Sequence, residues 1–233
     1  MTDPLLGRFG FFKQYTAGCS DPGILVRGLG RQFWGEAYFK PYPACMATHV
    51  TIEAARAATR GRPLSPEQVE SVVVRLPAPS LANFCGKPYE PRVCAHADAI
   101  FSYRHMVARV LLSGGVAQEH YAEDRLREPA LLALAQRVQL EPLGAGRTGA
   151  QVEVILRDGT RGAGDAPAPS RSPLVQHASV DEIERKFRRQ VEFSELLDEA
   201  DTDRLHALVA TLDQQVSVGA IAGLLAGSGA GAA

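Results

Sequence analysis

The chain has 233 residues, 45% hydrophobic and 22% charged, a balance that lets it bury a core as one domain with an appendage. Its formal net charge of −1, with arginines scattered rather than striped, gives no electrostatic case for nucleic acid, and no apolar run approaches a membrane span in length. Met1-Thr2-Asp3-Pro4 lacks the basic-then-apolar pattern of a signal peptide, and irregularly spaced Cys19, Cys45, Cys85 and Cys94 point to reduced thiols in a cytoplasm.

Gly28-Leu29-Gly30 and Gly35 punctuate the first segment, so any helix between Ile24 and Leu29 is short. The aromatic run from Phe33 to Phe39 predicts a strand ending at Lys40. Lys40-Pro41-Tyr42-Pro43-Ala44-Cys45-Met46-Ala47-Thr48-His49 then sets a cation and a stiff proline segment before a helix start. Pro43 suits the opening of that helix, which runs from Met46 to Thr59 on a stripe of Val50, Ala54, Ala57 and Ala58 and closes at Gly61-Arg62-Pro63. Ser65-Pro66-Glu67-Gln68 is a capping box that opens only a brief turn before a β-branched strand, Val69 to Leu76. Residues 77–96 read as a long loop holding Asn83, Cys85, Lys87, Tyr89, Arg92, Cys94 and His96, where Lys87, Tyr89, Arg92 and His96 are candidates for a lid over substrate.

Ala97 to Ser113 predicts one helix stopped by Gly114-Gly115. A helix from Pro129 to Gln136 runs into a strand, Val138 to Glu141, and Val152, Val154 and Leu156 alternate toward the hairpin signal Asp158-Gly159. The stretch from Gly162 to Pro173 reads as a loop or boundary. Ser179 caps an amphipathic helix with Ile183, Phe187 and Val191 on one face, and Asp201 is expected to cap another with Leu205, Leu208, Val209 and Leu212. Both helices are one-sided, which suits packing against a helical partner, and Gly227 to Ala233 reads as a flexible tail.

The segment at Lys40 is the chemical centre of the sequence. Free amide hydrogens of a first helical turn favour an anion, and Lys40 lies directly upstream of them. Cys45 and His49, four residues apart, are expected to share a helix face. The pattern points to a pocket for a carboxylate. Imidazole titrates in the range useful for proton transfer, so His49 is either a proton carrier or a packed histidine. Cys45 is either a thiol ionised in part by the helix terminus or a small buried residue. No phosphate-binding glycine loop or zinc-type spacing occurs, and Cys94-Ala95-His96 with Cys45 or Cys85 matches no standard metal site.

Lys40-Pro41-Tyr42-Pro43, followed by Thr48-His49 and an alanine-rich helix, resembles the motif of the MmgE/PrpD family, which includes 2-methylcitrate dehydratases, cis-aconitate decarboxylases and iminodisuccinate epimerases. Further stretches match in the family's order. They are Gly7-Arg8-Phe9-Gly10-Phe11-Phe12, then Asp98 to Tyr103 running into Leu111-Leu112-Ser113-Gly114-Gly115, then Glu128 to Val138, then Ser172-Pro173-Leu174 with Glu182 to Phe187.

The resemblance implies an α+β fold, a small mixed layer of antiparallel strands with packed helices. It implies C-terminal helices that pack on a separate all-helical domain. On that basis the domain divides as 1–165, a second, lid-like domain; 166–226, helices belonging to the helical domain; and 227–233, a tail. The implied activity is that of a lyase or isomerase on a small di- or tricarboxylate, with no obligatory metal or organic cofactor. Lys40 matches a lysine that the family places at its site. Tyr103, Arg104 and His105 fall where it more often has apolar or neutral residues followed by tyrosine, and Tyr103 and Arg104 are added as substrate-binding candidates. Cys45 stands where some decarboxylase-like members carry a histidine. The family's acid, base and several substrate contacts belong largely to the helical domain, so the expected partners are that domain as a separate chain, a homodimer, or both. The alternative is a non-catalytic truncated remnant, or a module that binds a polycarboxylate or associates with related subunits.

Overall fold

The computed structural model describes residues 3–8, 10–15, 21–31, 40–167 and 179–227. The strand expected over 33–39, Cys19, the Ser172-Pro173-Leu174 stretch and the tail beyond 227 lie outside the described residues. The chain forms two compact units, Met1–Ala37 and Tyr38–Ala233. In the first, Asp3 accepts hydrogen bonds from the Leu5 and Leu6 amides at 3.1 and 2.8 Å ahead of α1 (Phe11–Tyr15). A single 3-10 turn, Pro22–Leu25, is capped by Asp21, and it is short because Gly28 and Gly30 both take positive φ just after it.

The second unit is built on a mixed sheet with the order β2-β1-β3-β4: β1 (Val69–Leu76), β2 (Val138–Pro142), β3 (Ala150–Leu156) and β4 (Arg161–Ala166). β1 pairs parallel with β2 and antiparallel with β3, so that Val72 sits between Val138 and Val154, and Val74 between Leu140 and Val152. This row, valines with partly buried Leu140 beside them, is the centre of the sheet's share of the core.

α2 (Met46–Thr59) crosses the sheet at β3 and β4. A Cβ at Gly164 would lie 2.2 Å from the Ala54 carbonyl and 2.4 Å from the Ala58 amide, and one at Gly162 would lie 2.4 Å from the Ala58 carbonyl. The glycines that suggested a loop are therefore strand residues, bare so that an alanine-faced helix can approach backbone to backbone.

The expected loop 77–96 contains α3 (Ala78–Ala82) and a 3-10 turn at Phe84–Gly86. The single helix expected from Ala97 to Ser113 is two, α4 (Ala95–Ile100) and α5 (Tyr103–Ser113). Ser102 breaks it, because its backbone is extended and its hydroxyl accepts from the His105 amide at 3.2 Å, so the serine acts as an N-cap. Gly114, at φ 74°, ends α5 in the left-handed conformation. α6 (Glu123–Leu126) and α7 (Pro129–Arg137) lead into β2, and Arg137 ties this crossover to the start of β1 through the carbonyls of Pro66 and Val69 at 2.6 and 2.8 Å.

α8 (Val180–Ser194) opens on the expected capping box, with Ser179 Oγ accepting from the Glu182 amide at 3.2 Å and the Glu182 carboxylate accepting from the Ser179 amide at 2.7 Å. α9 (Glu199–Ala210) is capped by Asp198, which accepts from the Asp201 amide at 2.8 Å. The expected cap, Asp201, instead lies within the first turn, where its own N–H is the group being capped. An apolar helix that the sequence reading did not foresee, α10 (Gly219–Gly227), follows. Among the described residues no helix is long and apolar enough to cross a membrane.

Candidate functional site

The prolines hold residues 40–44 in a bend that delivers the chain to α2, with the Ala44 amide donating to the Tyr42 carbonyl at 2.9 Å. Pro43 thus precedes the helix rather than opening it; the N-cap is Cys45, whose thiol makes no capping hydrogen bond. Two contacts fix the bend. Tyr42 is buried, donates its hydroxyl to Glu53 and accepts from Arg56 at 2.7 Å, which staples the loop along α2. The Cys45 amide donates to the Ile100 carbonyl at 3.1 Å, an acceptor exposed by the break between α4 and α5.

Lys40 is exposed, and its Nζ donates to the Ala44 carbonyl at 3.4 Å. His49 reaches the same carbonyl with Nε2 at 3.3 Å. A carbonyl only accepts, so Nε2 carries the proton and Nδ1 is the basic nitrogen. Nδ1 is buried without a hydrogen-bond partner among the described residues, and Tyr42 stands edge-on to the ring at 5.4 Å. Burial, with further pressure from the charges of Lys40 and Lys186, holds the imidazole below its ordinary pKa, which keeps it neutral at pH 7.

Sequence reasoning missed Lys186. It rises from α8 and donates Nζ to the Lys40 carbonyl at 2.5 Å, and burial followed by the Lys40 charge lowers its pKa. The Glu182-to-Phe187 match, which placed a lysine directly before an aromatic of the helix's apolar face, was the available signal. Two ammonium groups and an imidazole therefore converge on the carbonyls of one proline-stiffened bend.

Cys45 and His49 have different side-chain partners. As N-cap, Cys45 has an extended backbone outside the helical repeat, and its thiol contacts buried Cys85, whose own thiol is pushed up to about 12 chiefly by burial. Tyr103 is buried beside this pair, and its hydroxyl accepts from Asn83 at 3.1 Å. Arg104 donates to the carbonyls of Gly86 and Lys87 at 2.5 and 3.1 Å; it secures that loop and is not brought to the Ala44 carbonyl.

Three of the four lid candidates, Tyr89, Arg92 and His96, are also engaged. Tyr89 is buried with its hydroxyl on the Leu126 carbonyl at 2.9 Å, and Arg92 pairs with Asp98 at 2.7 Å. His96 lies against the Tyr121 ring at 4.8 Å. Among the described residues no group of three or more His, Cys, Asp or Glu is placed to hold a metal ion.

No curated protein matches the sequence. Residues 42–214, which take in the mouth of α2, the whole sheet, α8 and α9, match the MmgE/PrpD C-terminal domain. With most of its length accounted for in this way, the chain belongs to the MmgE/PrpD family, as a carrier of that C-terminal domain.

Proposed function

We propose that this chain is the carboxylate-binding C-terminal part of a lyase or isomerase acting on a small di- or tricarboxylate, dehydratase-like, decarboxylase-like or epimerase-like. It works in concert with an all-helical domain docked on the uncovered faces of α8 and α9. One observation carries this reading: the Lys40 and Lys186 ammonium groups meet at the Lys40-to-Ala44 bend, on the mouth of α2. Such a pair, beside a helix N-terminus, stabilises carboxylate charge and the charge that develops next to it during elimination or proton abstraction.

His49 orients the bend by holding the Ala44 carbonyl, and its buried Nδ1 favours that role over direct proton transfer. Cys45 and Tyr103, one layer behind, support the mouth, and the proton-transfer groups come from the helical domain. Free Cys45, Cys85 and Cys94 support a cytoplasmic setting for the enzyme.

Co-expression of this chain with a family helical domain, followed by assays of hydration, dehydration and decarboxylation of citrate-like acids, tests the reading. Lys40→Ala and Lys186→Ala are each expected to lower kcat/KM by about 10²-fold. His49→Gln, which can still donate to the Ala44 carbonyl, is expected to lose less. A reconstituted pair that is inert, or whose activity ignores both lysines, overturns it.

A further inference from the structure

Behind the lysine mouth the fold brings two nucleophilic sulfurs together. The thiols of Cys45 and Cys85 are in contact, one from the cap of α2 and the other from the 3-10 turn at Phe84–Gly86. Both backbones are fixed, which makes the contact a lasting one. The Cys45 amide is held by the Ile100 carbonyl at 3.1 Å. The Cys85 amide donates to Asn83 Oδ1 at 2.8 Å, and Asn83 in turn donates to the Tyr103 hydroxyl at 3.1 Å. Gly86 lets this turn close, because a Cβ there would lie 2.3 Å from the Leu81 carbonyl oxygen.

The two sulfurs differ in access. Cys85 is wholly buried, whereas Cys45 is half-buried and its thiol is not spent on capping the helix. Cys94 provides a comparison within the same chain. It too stands at the N-cap position of a helix, α4, with no capping bond from its thiol. It is exposed, but no second thiol lies against it among the described residues. Access alone therefore favours Cys94, and only Cys45 combines access with a sulfur neighbour.

We infer that Cys45 and Cys85 form a reversible oxidation site, at which hydrogen peroxide converts the two thiols into a disulfide. Cys45 is the sulfur that the oxidant reaches: one peroxide oxygen is transferred to it, giving a sulfenic acid and one water. The Cys85 sulfur then attacks the Cys45 sulfur and the S–O bond breaks. The departing hydroxyl takes the Cys85 proton and leaves as a second water, so the buried thiol needs no other base. One peroxide is reduced and two thiols are oxidised. A neighbouring thiol in contact diverts the sulfenic acid from irreversible oxidation, and reduction restores the pair. The cross-link ties the start of α2, directly after the Ala44 carbonyl that Lys40 and His49 hold, to the turn whose Gly86 carbonyl Arg104 secures. The inference does not rest on the reaction proposed above, since no substrate takes part in the oxidation.

Peptide mapping of the full chain after treatment with hydrogen peroxide tests it. The chain is denatured, its remaining thiols are alkylated, and it is digested with trypsin. Arg56 and Arg75 let trypsin separate Cys45 from Cys85, and Arg92 separates Cys85 from Cys94. A cross-linked pair of the Cys45 and Cys85 peptides is expected, released by dithiothreitol and formed in a yield independent of protein concentration. In Cys45→Ser, where serine suits the N-cap position, Cys85 is expected to oxidise at least about tenfold more slowly than in the parent chain. An unreacted pair, oxidation confined to Cys19 or Cys94, or Cys45 carried to sulfinic acid while Cys85 remains open to alkylation overturns the inference. Oxidation of Cys85 at an unchanged rate in Cys45→Ser also overturns it.

Discussion

α5 and α8 begin alike and end up in opposite environments. Each is opened by a serine whose hydroxyl accepts from the third residue's amide at 3.2 Å. On α5 the stripe of Met106, Val107, Val110 and Leu111 is fully buried, and the polar side chains of His105 and Arg109 are buried with it. α8 has no buried residue, and its Ile183 and Phe193 are 42% and 55% exposed. Capping and periodicity fix that a helix forms; what covers its apolar face is decided by whichever layer lies opposite. α5 has α2 and α7 for that layer. The described residues give α8 the Lys40 loop, Gln118 and α9, which it meets through Arg188–Asp203 at 2.9 Å and Phe187–His206 at 6.0 Å. None of these buries its stripe, so α5 and α8 separate the folding core from a surface built for something else.

The sharpest way to break this contrast is Leu111→Ala. The side chain is wholly buried on α5, so its truncation is expected to destabilise the chain by about 3 kcal/mol through lost transfer free energy and a residual cavity. Urea denaturation measures this, and a loss near zero would mean that the α5 face is not the core.

Acid tests the polar part of the same face. His105 lies between Tyr89 at 4.7 Å and Tyr121 at 6.3 Å, neither ring nitrogen has a partner among the described residues, and burial with the charges of Arg109 and His120 pushes it down to about 3. The unfolded chain takes up its proton near pH 6.5, whereas the folded chain refuses it until far lower. Stability is therefore intact above pH 6.5 and falls as pH drops toward 3, by roughly 2–3 kcal/mol at pH 4.5. His49 and His120, also held low by burial, add in the same direction. His105→Leu is expected to flatten the slope between pH 6.5 and 4.5; an unchanged slope would show that this imidazole is not sealed in neutral form.

Much of this arrangement was legible beforehand because it is local. The α2 boundaries, the β1 strand, the Ser179 box and the Lys40 motif each follow from a few adjacent residues whose physics is strong: proline geometry, β-branching, a side chain capping an amide. What stayed hidden depends on distant partners. Gly162 and Gly164 carry no mark telling a loop from a strand pressed by a helix. Ser102 announces a cap only once the Ile100 carbonyl is needed by Cys45. Lys186 joins the site from a position 146 residues beyond Lys40, a separation that no spacing rule spans. Arg104 looked available because a sequence does not show which backbone carbonyls will lie near a guanidinium.

A smaller effect is expected at the Arg109 ion pair. Arg109 is 3% exposed, donates to the Arg125 carbonyl at 2.7 Å, and meets Glu128 at 3.3 Å, while the Glu128 side chain remains about a third open to solvent. Glu128→Gln keeps an acceptor in place but leaves the buried cation without its counter-charge. The expected cost is about 1–2 kcal/mol, below that of breaking a fully buried pair because solvent screens the carboxylate side. Added salt should narrow the difference between the two proteins.

The smallest effect is the one that defines the α8 surface. Ile183→Ser on the chain alone is expected to change stability by no more than about 0.5 kcal/mol, since little apolar area is withdrawn from water there. With a helical domain bound, the same substitution is expected to weaken association by about 2 kcal/mol, the value of burying one such side chain. Paired denaturation and binding titrations measure the two numbers on the same variant. Equal costs in both would mean that Ile183 contributes to the chain's own core, and the distinction between α5 and α8 would collapse. A cost that appears only in the complex would assign the α8 stripe to docking, on the same helix that already holds Lys186 at the carboxylate mouth.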